Sequence, residues 1–255
     1  MHTSMKVLRE NPLPRSLDFK LPNALQCSLP SELRGMARDE VRLMISGIKG
    51  DEVRHSHFYH LAEFLRPGDA LVVNTSATLK AALDILDARG NALKVHLSNR
   101  LGPNRWLVEL REPMETKTQR WFGGAVGDIF QLQAGGRLQL LKAYYQPADK
   151  RDHLQLWVAE FYIDQPLDSY LEAHGQPIRY LQAKAGYPAD WYQTYFAQEP
   201  GSAEMPSAGR AFTERVVKDL ETRGIPIIPL LLHTGVASVE ADERPYEEYY
   251  RLSPE

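Results

Sequence analysis

Apolar positions along the chain change rhythm twice. VRLMIS, Val41 to Ser46, is an apolar run of strand length, and IKGDE after it reads as a turn. HFYHLAEFLR then places Phe58, Leu61, Phe64 and Leu65 on one helical face, and RPGD ends it. ALVVN, Ala70 to Asn74, is a second buried-strand run. Strand, helix and strand on short links open an α/β fold. From about Leu83 to Phe161 the period becomes two, in ALKVHLS, RWLVELRE, DIFQLQ, RLQLLKAYY and LQLWVAEF. ARGN, LGPN, GG and AGGR punctuate these runs as turns. Short strands at that spacing predict a small barrel or sandwich. Helical rhythm returns in PLDSYLEAHG, with Pro166 in the first turn and Gly175 as the C-terminal cap. FTERVVKDLETRG is a further helix ending at Gly224, followed by the apolar run IPIIPLLLHTG. The expected architecture is an α/β domain over residues 1–82 and 162–255, interrupted by a β-barrel-like domain over 83–161.

Composition narrows what such a fold could do. The 255 residues are 43% hydrophobic and 25% charged, enough for a substantial core. Net charge is −3, so RNA binding would have to use local basic patches rather than a global field. The single cysteine, Cys27, excludes a disulfide framework within the chain. The first residues lack the apolar core of a secretory signal, and no run reaches the ~18 apolar residues of a membrane helix. A cytoplasmic protein without membrane association is expected. His55, His57 and His60 cluster in HSHFYH, yet no carboxylate or cysteine completes a recognised metal spacing, so no metal is expected. Arg34, Arg38 and Arg42 read as a solvated face, since Asp39 and Glu40 intervene.

The stretch GSAEMPSAGRAFTERV, Gly201 to Val216, concentrates small residues just before a helix start. Glycines permit close backbone approach, and the amides of a helix's first turn attract anions. Ser207 or Thr213 could cap that helix. The stretch carries neither a phosphate-loop nor a dinucleotide fingerprint. His233 ends the apolar run before Gly235, where α/β folds hold ligands; a core histidine bonded to a carbonyl would fit as well. Asn74 ends ALVVN, as a substrate contact or as a turn former. Arg210 could pair with a ligand carboxylate or serve in a surface salt bridge.

YQTYFAQEPGSAEMPSAGRAFTERV resembles the signature of the S-adenosylmethionine:tRNA ribosyltransferase-isomerases, which reads approximately YQTVYA, GSVAAPTAGLHFT, then LHVGLGTF. The counterparts are Tyr192-Gln193-Thr194, Gly201-Ser202, Pro206 to Gly209, Phe212-Thr213 and LHTGVAS from Leu232. SLDFKLP, ARDEVRLMI, HSHFYHLAEFLRPGDALVVNT and EEYYRLSPE extend the similarity nearly from end to end. The resemblance implies an α/β domain interrupted by a β-barrel. It implies transfer of the ribosyl part of S-adenosylmethionine to 7-aminomethyl-7-deazaguanine in tRNA, with rearrangement to epoxyqueuosine. S-adenosylmethionine is then a substrate and no cofactor is needed; tRNA is the partner, and a monomer is favoured. Carried over residue by residue, it makes His233 and Glu248 the catalytic candidates. Asn74, Tyr192, Gln193, Ser207, Ala208, Gly209, Thr213, Gly235 and Tyr249 become the substrate-binding candidates, and Arg210 joins them for its guanidinium rather than for a family match.

The chain also departs from that pattern. NTSATLKAAL, Asn74 to Leu83, stands where the family has an NDTRVIPARL-like stretch, without its Asp and Arg. Arg210-Ala211 replaces a Leu-His pair, Tyr246 replaces a histidine, and the chain stops at Glu255, short of the family's GTTS-containing segment. A divergent, C-terminally short member is expected. A paralogue acting on another nucleoside, or a non-catalytic binding relative, would share the scaffold.

Overall fold

The computed structural model describes residues 22, 29–48, 50, 52–114, 118–144, 156–178 and 187–236. Among the described residues strand β1 (Arg42–Ser46) pairs only with β2 (Val53–His57), antiparallel, with Arg42 opposite His57. The expected buried strand is thus one arm of a hairpin, and Met44 and Val53 are exposed on it. An apolar run sets strand length but not the number of sheet neighbours. HFYHLAEF forms a 3-10 helix over Phe58–Phe64 rather than an α-helix. Its apolar residues Phe58, Leu61 and Phe64 recur every third position, which is the 3-10 repeat.

The chain then enters two short parallel pairs. Strand β3 (Leu71–Asn74) lies in register with a later strand, Ile227–Leu230, so that Asn74 faces Leu230. Strand β4 (Ser76–Thr78) pairs with Glu199–Ser202, bringing Ser202 opposite Thr78. Parallel pairing suits an α/β layer, and among the described residues these two are the parallel strand pairs.

The period-two block folds as expected into antiparallel strands. They are β5 (Ala82–Leu86), β6 (Ala92–Arg100), β7 (Arg105–Pro113), β8 (Thr118–Arg120), β9 (Ile129–Gln131), β10 (Arg137–Tyr144) and β11 (Leu156–Tyr162). Their order is β11-β10-β9-β5-β6-β7-β8, and β11 also pairs with β7, so the ladder returns on itself. Alternate residues such as Val95, Leu97, Trp106, Val108, Leu138 and Leu140 are almost wholly buried on one side. Each such side chain stabilises the fold by about 1.5–3 kcal/mol.

Helix α1 (Leu167–His174) follows, with Gly175 at its C-cap as expected and Pro166 at its N-cap, one position before the first turn. Gly175 is not left-handed (φ −79°); a methyl group there would strike the carbonyl of Lys80, so close approach fixes the glycine. Leu167, Tyr170 and Leu171 of α1 bury themselves in the sheet core. A second core gathers Ala62, Val73, Phe196, Phe212 and Ile225 with Val216, Val217 and Leu220 of α2 (Glu214–Thr222). The strand segments Glu199–Ser202 and Ile227–Leu230 are β12 and β13. The molecule is mixed and strand-rich, with α1 and α2 its α-helices among the described residues. Among those residues no helix is long and apolar enough to cross a membrane.

Candidate functional site

The two parallel pairs bring polar residues together at the carboxyl ends of β3 and β13. Asn74 bridges them: its Oδ1 accepts from the amides of Ser76 (3.0 Å) and Leu232 (3.0 Å), and its Nδ2 donates to the Leu232 carbonyl (2.7 Å). That side chain replaces a backbone ladder where the pairing ends, so its polar atoms are spent on the fold. The next residue along the bridged segment is His233. Its Nδ1 lies 2.7 Å from Ser76 Oγ, which is 2.6 Å from Ser202 Oγ. Ser202 Oγ accepts from the Thr234 amide at 3.0 Å. Ser76 and Ser202 are fully buried, whereas His233 is exposed at the surface. Partial burial lowers the imidazole pKa; Glu199 opposes this and Arg100 adds to it.

Two glycines make the cluster possible. A Cβ on Gly201 would fall on the His233 ring, and one on Gly235 would sit 2.5 Å from Ser98 Oγ. Neither glycine has positive φ, so close approach rather than turn geometry is what they supply. The loop is held further by the Val236 amide on Ser98 Oγ (3.0 Å) and by the Ala203 amide on the Thr234 carbonyl (2.8 Å).

The remaining candidates lie in a second cluster. Gln193 imitates a strand: its Oε1 accepts from the Thr78 amide (2.9 Å) and its Nε2 donates to the Thr78 carbonyl (2.8 Å). The Tyr192 carbonyl accepts from Thr78 Oγ1 at 2.7 Å. Ser207, Ala208 and Gly209 form a 3-10 turn in which Ser207 and Ala208 are exposed and Gly209 rests against Thr194. Arg210 forks onto Glu32 at 2.7 and 2.9 Å, the salt bridge that was one of its two expected roles. Thr213 occupies the N-cap of α2 without capping it; its hydroxyl donates to Asp39 Oδ2 at 2.6 Å. Ser207 does not cap it either. Arg215 completes the grip on buried Asp39, 2.8 Å from Oδ1. Burial would raise the Asp39 carboxyl, but Arg215 and Thr213 outweigh it and hold it below the ordinary range.

Arg38, read as part of a solvated face, instead reaches inward to Glu32 (2.9 Å) and to the carbonyls of Gln193 (2.6 Å) and Asp190 (3.0 Å). Spacing on a short run could not reveal partners more than 150 positions away. Glu248 and Tyr249 fall outside the described residues. Of the histidine cluster, His55 and His57 lie on β2 while His60 pairs with Glu63 at 2.7 Å. Ser76 and Ser202 were missed as site residues. The available signal was position: Ser76 follows the strand end at Asn74, and Ser202 sits in the small-residue loop.

The sequence profile of a family described as "Queuosine biosynthesis protein" matches residues 15–255. The chain is 31% identical over 250 residues to the S-adenosylmethionine:tRNA ribosyltransferase-isomerase of Moorella thermoacetica. It is 29% identical over 247 residues to the protein of that name from Desulforamulus reducens. Each match covers 93% of this chain and 67% of the relative, so the chain spans about two thirds of their length. The crystal structure of a Thermotoga maritima S-adenosylmethionine tRNA ribosyltransferase aligns at 21% identity and a TM-score of 0.33, over 85% of this chain and 57% of the other.

Proposed function

The chain belongs to the queuosine biosynthesis protein family, and on that premise we propose that it transfers and isomerises the ribosyl moiety of S-adenosylmethionine onto 7-aminomethyl-7-deazaguanine in tRNA. Epoxyqueuosine would form in the tRNA, with adenine and methionine released. The supporting observation is the convergence of Gly201, Ser76, Asn74 and His233 at the carboxyl ends of a parallel strand pair, where α/β folds bind ligands. In this reading His233 faces the ribose as a proton or hydrogen-bond partner, with Glu248 the second catalytic candidate. Asn74, Gln193 and Thr213 act by holding backbone and carboxylates in place. Arg210, spent on Glu32, braces the small-residue loop, whose exposed Ser207 and Ala208 are free to meet substrate. S-adenosylmethionine is consumed as substrate and no cofactor takes part. We further propose the division into an α/β unit, residues 1–82 and 162–255, and an inserted barrel over 83–161, with α1 lying on the barrel.

The test is incubation of the protein with S-adenosylmethionine and tRNA carrying the deazaguanine precursor, read by nucleoside mass spectrometry. Epoxyqueuosine with stoichiometric adenine release is expected. Unmodified tRNA with no adenine release would overturn the proposal, and adenine release alone would show a different acceptor.

A further inference from the structure

We propose that Ser202 and Ser76 form a one-way hydrogen-bond relay that fixes His233 as its Nε2–H tautomer, so that the imidazole meets its ligand as a neutral hydrogen-bond donor and not as a base. The inference deepens the ligand-facing role given to His233 above and rests on it. Ser202 and Ser76 are positioning residues, since they reach the ligand only through His233.

The direction of the relay follows from proton counting. The Thr234 amide can only donate, and it is 3.0 Å from Ser202 Oγ. Ser202 Oγ is 2.6 Å from Ser76 Oγ, and Ser76 Oγ is 2.7 Å from His233 Nδ1. Each hydroxyl has one proton to give. If Ser202 donates to Ser76 and Ser76 donates to Nδ1, every proton in the chain has an acceptor. Nδ1 must then carry a lone pair, and the neutral ring carries its proton on Nε2. In the reverse direction, Nδ1–H donates to Ser76 and Ser76 donates to Ser202. Ser202 Oγ would then accept twice, and its own proton would have no acceptor among the described residues, at a position with 0% exposure. An orphaned buried donor biases the equilibrium by on the order of tenfold or more.

The same logic opposes charging the ring. An imidazolium carries a proton on Nδ1 as well, which forces the reversal and orphans Ser202. This acts in the same direction as the partial burial of the ring and the field of Arg100 on β6, which is itself paired with Asp168 of α1. Glu199 on β12 acts the other way. Among the described residues Nε2 makes no hydrogen bond, so its proton is available to a ligand acceptor. A ring hydroxyl oxygen, a developing alkoxide or a carboxylate has the matching chemistry. Any proton abstraction in the reaction then falls to another group.

The tautomer can be read without substrate, by long-range proton–nitrogen NMR of the full chain with 15N-labelled histidine, His233 being assigned by its loss in His233→Gln. The wild type is expected to show a bare Nδ1 and a protonated Nε2. Ser76→Ala removes the donor that holds the Nδ1 lone pair: Nδ1–H should then gain population, and the His233 pKa should rise by about one unit, a tenfold change. Ser76→Thr should keep the wild-type signature. Ser202→Ala should keep it as well, because the buried Ser76 proton then has Nδ1 as its remaining acceptor among the described residues and an Nδ1–H ring would orphan it. A wild-type ring protonated on Nδ1, Ser76→Ala with an unchanged tautomer and pKa, or Ser202→Ala that switches the ring to Nδ1–H, overturns the proposal. Because no tRNA or S-adenosylmethionine enters the measurement, its outcome is separate from that of the mass-spectrometry assay.

Discussion

At Gly201 the backbone lies against the His233 ring, and any side chain there would occupy the space of the imidazole. Gly201→Ala is therefore expected to push His233 off Ser76 while the rest of the fold stands. A displacement of about 1 Å at a reacting group costs roughly 10²-fold in kcat/KM; steady-state kinetics beside a thermal melt would check this, and an unchanged kcat/KM would contradict the reading. Glu32 illustrates the residue scale differently. Burial alone would raise its pKa, but the Arg210 and Arg38 hydrogen bonds outweigh it and bring it down to about 2 from an ordinary 4.5. A carboxyl depressed in the folded state adds stability above its unfolded pKa and loses it as pH falls toward the folded value. Glu32→Gln should thus cost about 1–2 kcal/mol at pH 7, since both side chains are about one-fifth exposed. The gap should shrink between pH 4.5 and 2, as followed by denaturant unfolding. His233 was legible from sequence because it ends an apolar run. The serines behind it were not, because a hydroxyl's role depends on a partner 126 positions away.

Among the elements, α2 was the clearest in sequence: Val216, Val217 and Leu220 give it one apolar face, and all three are buried. Leu220 is fully buried against the second core, so Leu220→Ala should cost about 2–5 kcal/mol, read from urea denaturation with the m-value unchanged. A loss well below 1 kcal/mol would mean that the helix is not docked as described. Two other elements show where local pattern ran out. The apolar run Arg42–Ser46 is a hairpin arm among the described residues, because exposure depends on what lies on either face and not on the run itself. The segment at Phe58–Phe64 has its apolar residues every third position, and seven residues with a proline shortly beyond suit a 3-10 helix better than three α turns. The short strands β4 and β8, three residues each, carry too little alternation to be found by period, and ALDIL of β5 is not among the period-two runs, although the block is set to begin within it.

At the scale of the whole molecule, the antiparallel sheet carries buried charge that responds to pH. Burial pushes His96 down to about 3, with Arg111 and Lys94 adding to it. Glu109 lies 4.0 Å from its Nδ1, but its two oxygens are engaged by Arg111 and Arg120 at 2.9 Å each. A base whose folded pKa is depressed leaves the unfolded chain to bind the proton first. Stability should therefore fall as pH drops from 6.5 toward 3, by up to about 1.4 kcal/mol per pH unit for this one proton. His96→Gln should flatten that part of the stability curve, and an identical slope in the variant would remove His96 as the cause. By itself the sequence determined the antiparallel block, both α-helices and the place of His233, because each follows from a repeat that neighbouring residues impose on one another. The tertiary structure alone decided that β3 pairs with β13 and β4 with β12, that Arg38, Asp39 and Arg210 are partnered, and that Ser76 and Ser202 stand behind the imidazole. Those arrangements join positions up to 179 residues apart, and a hydrogen bond is set by distance in space, which no local pattern records.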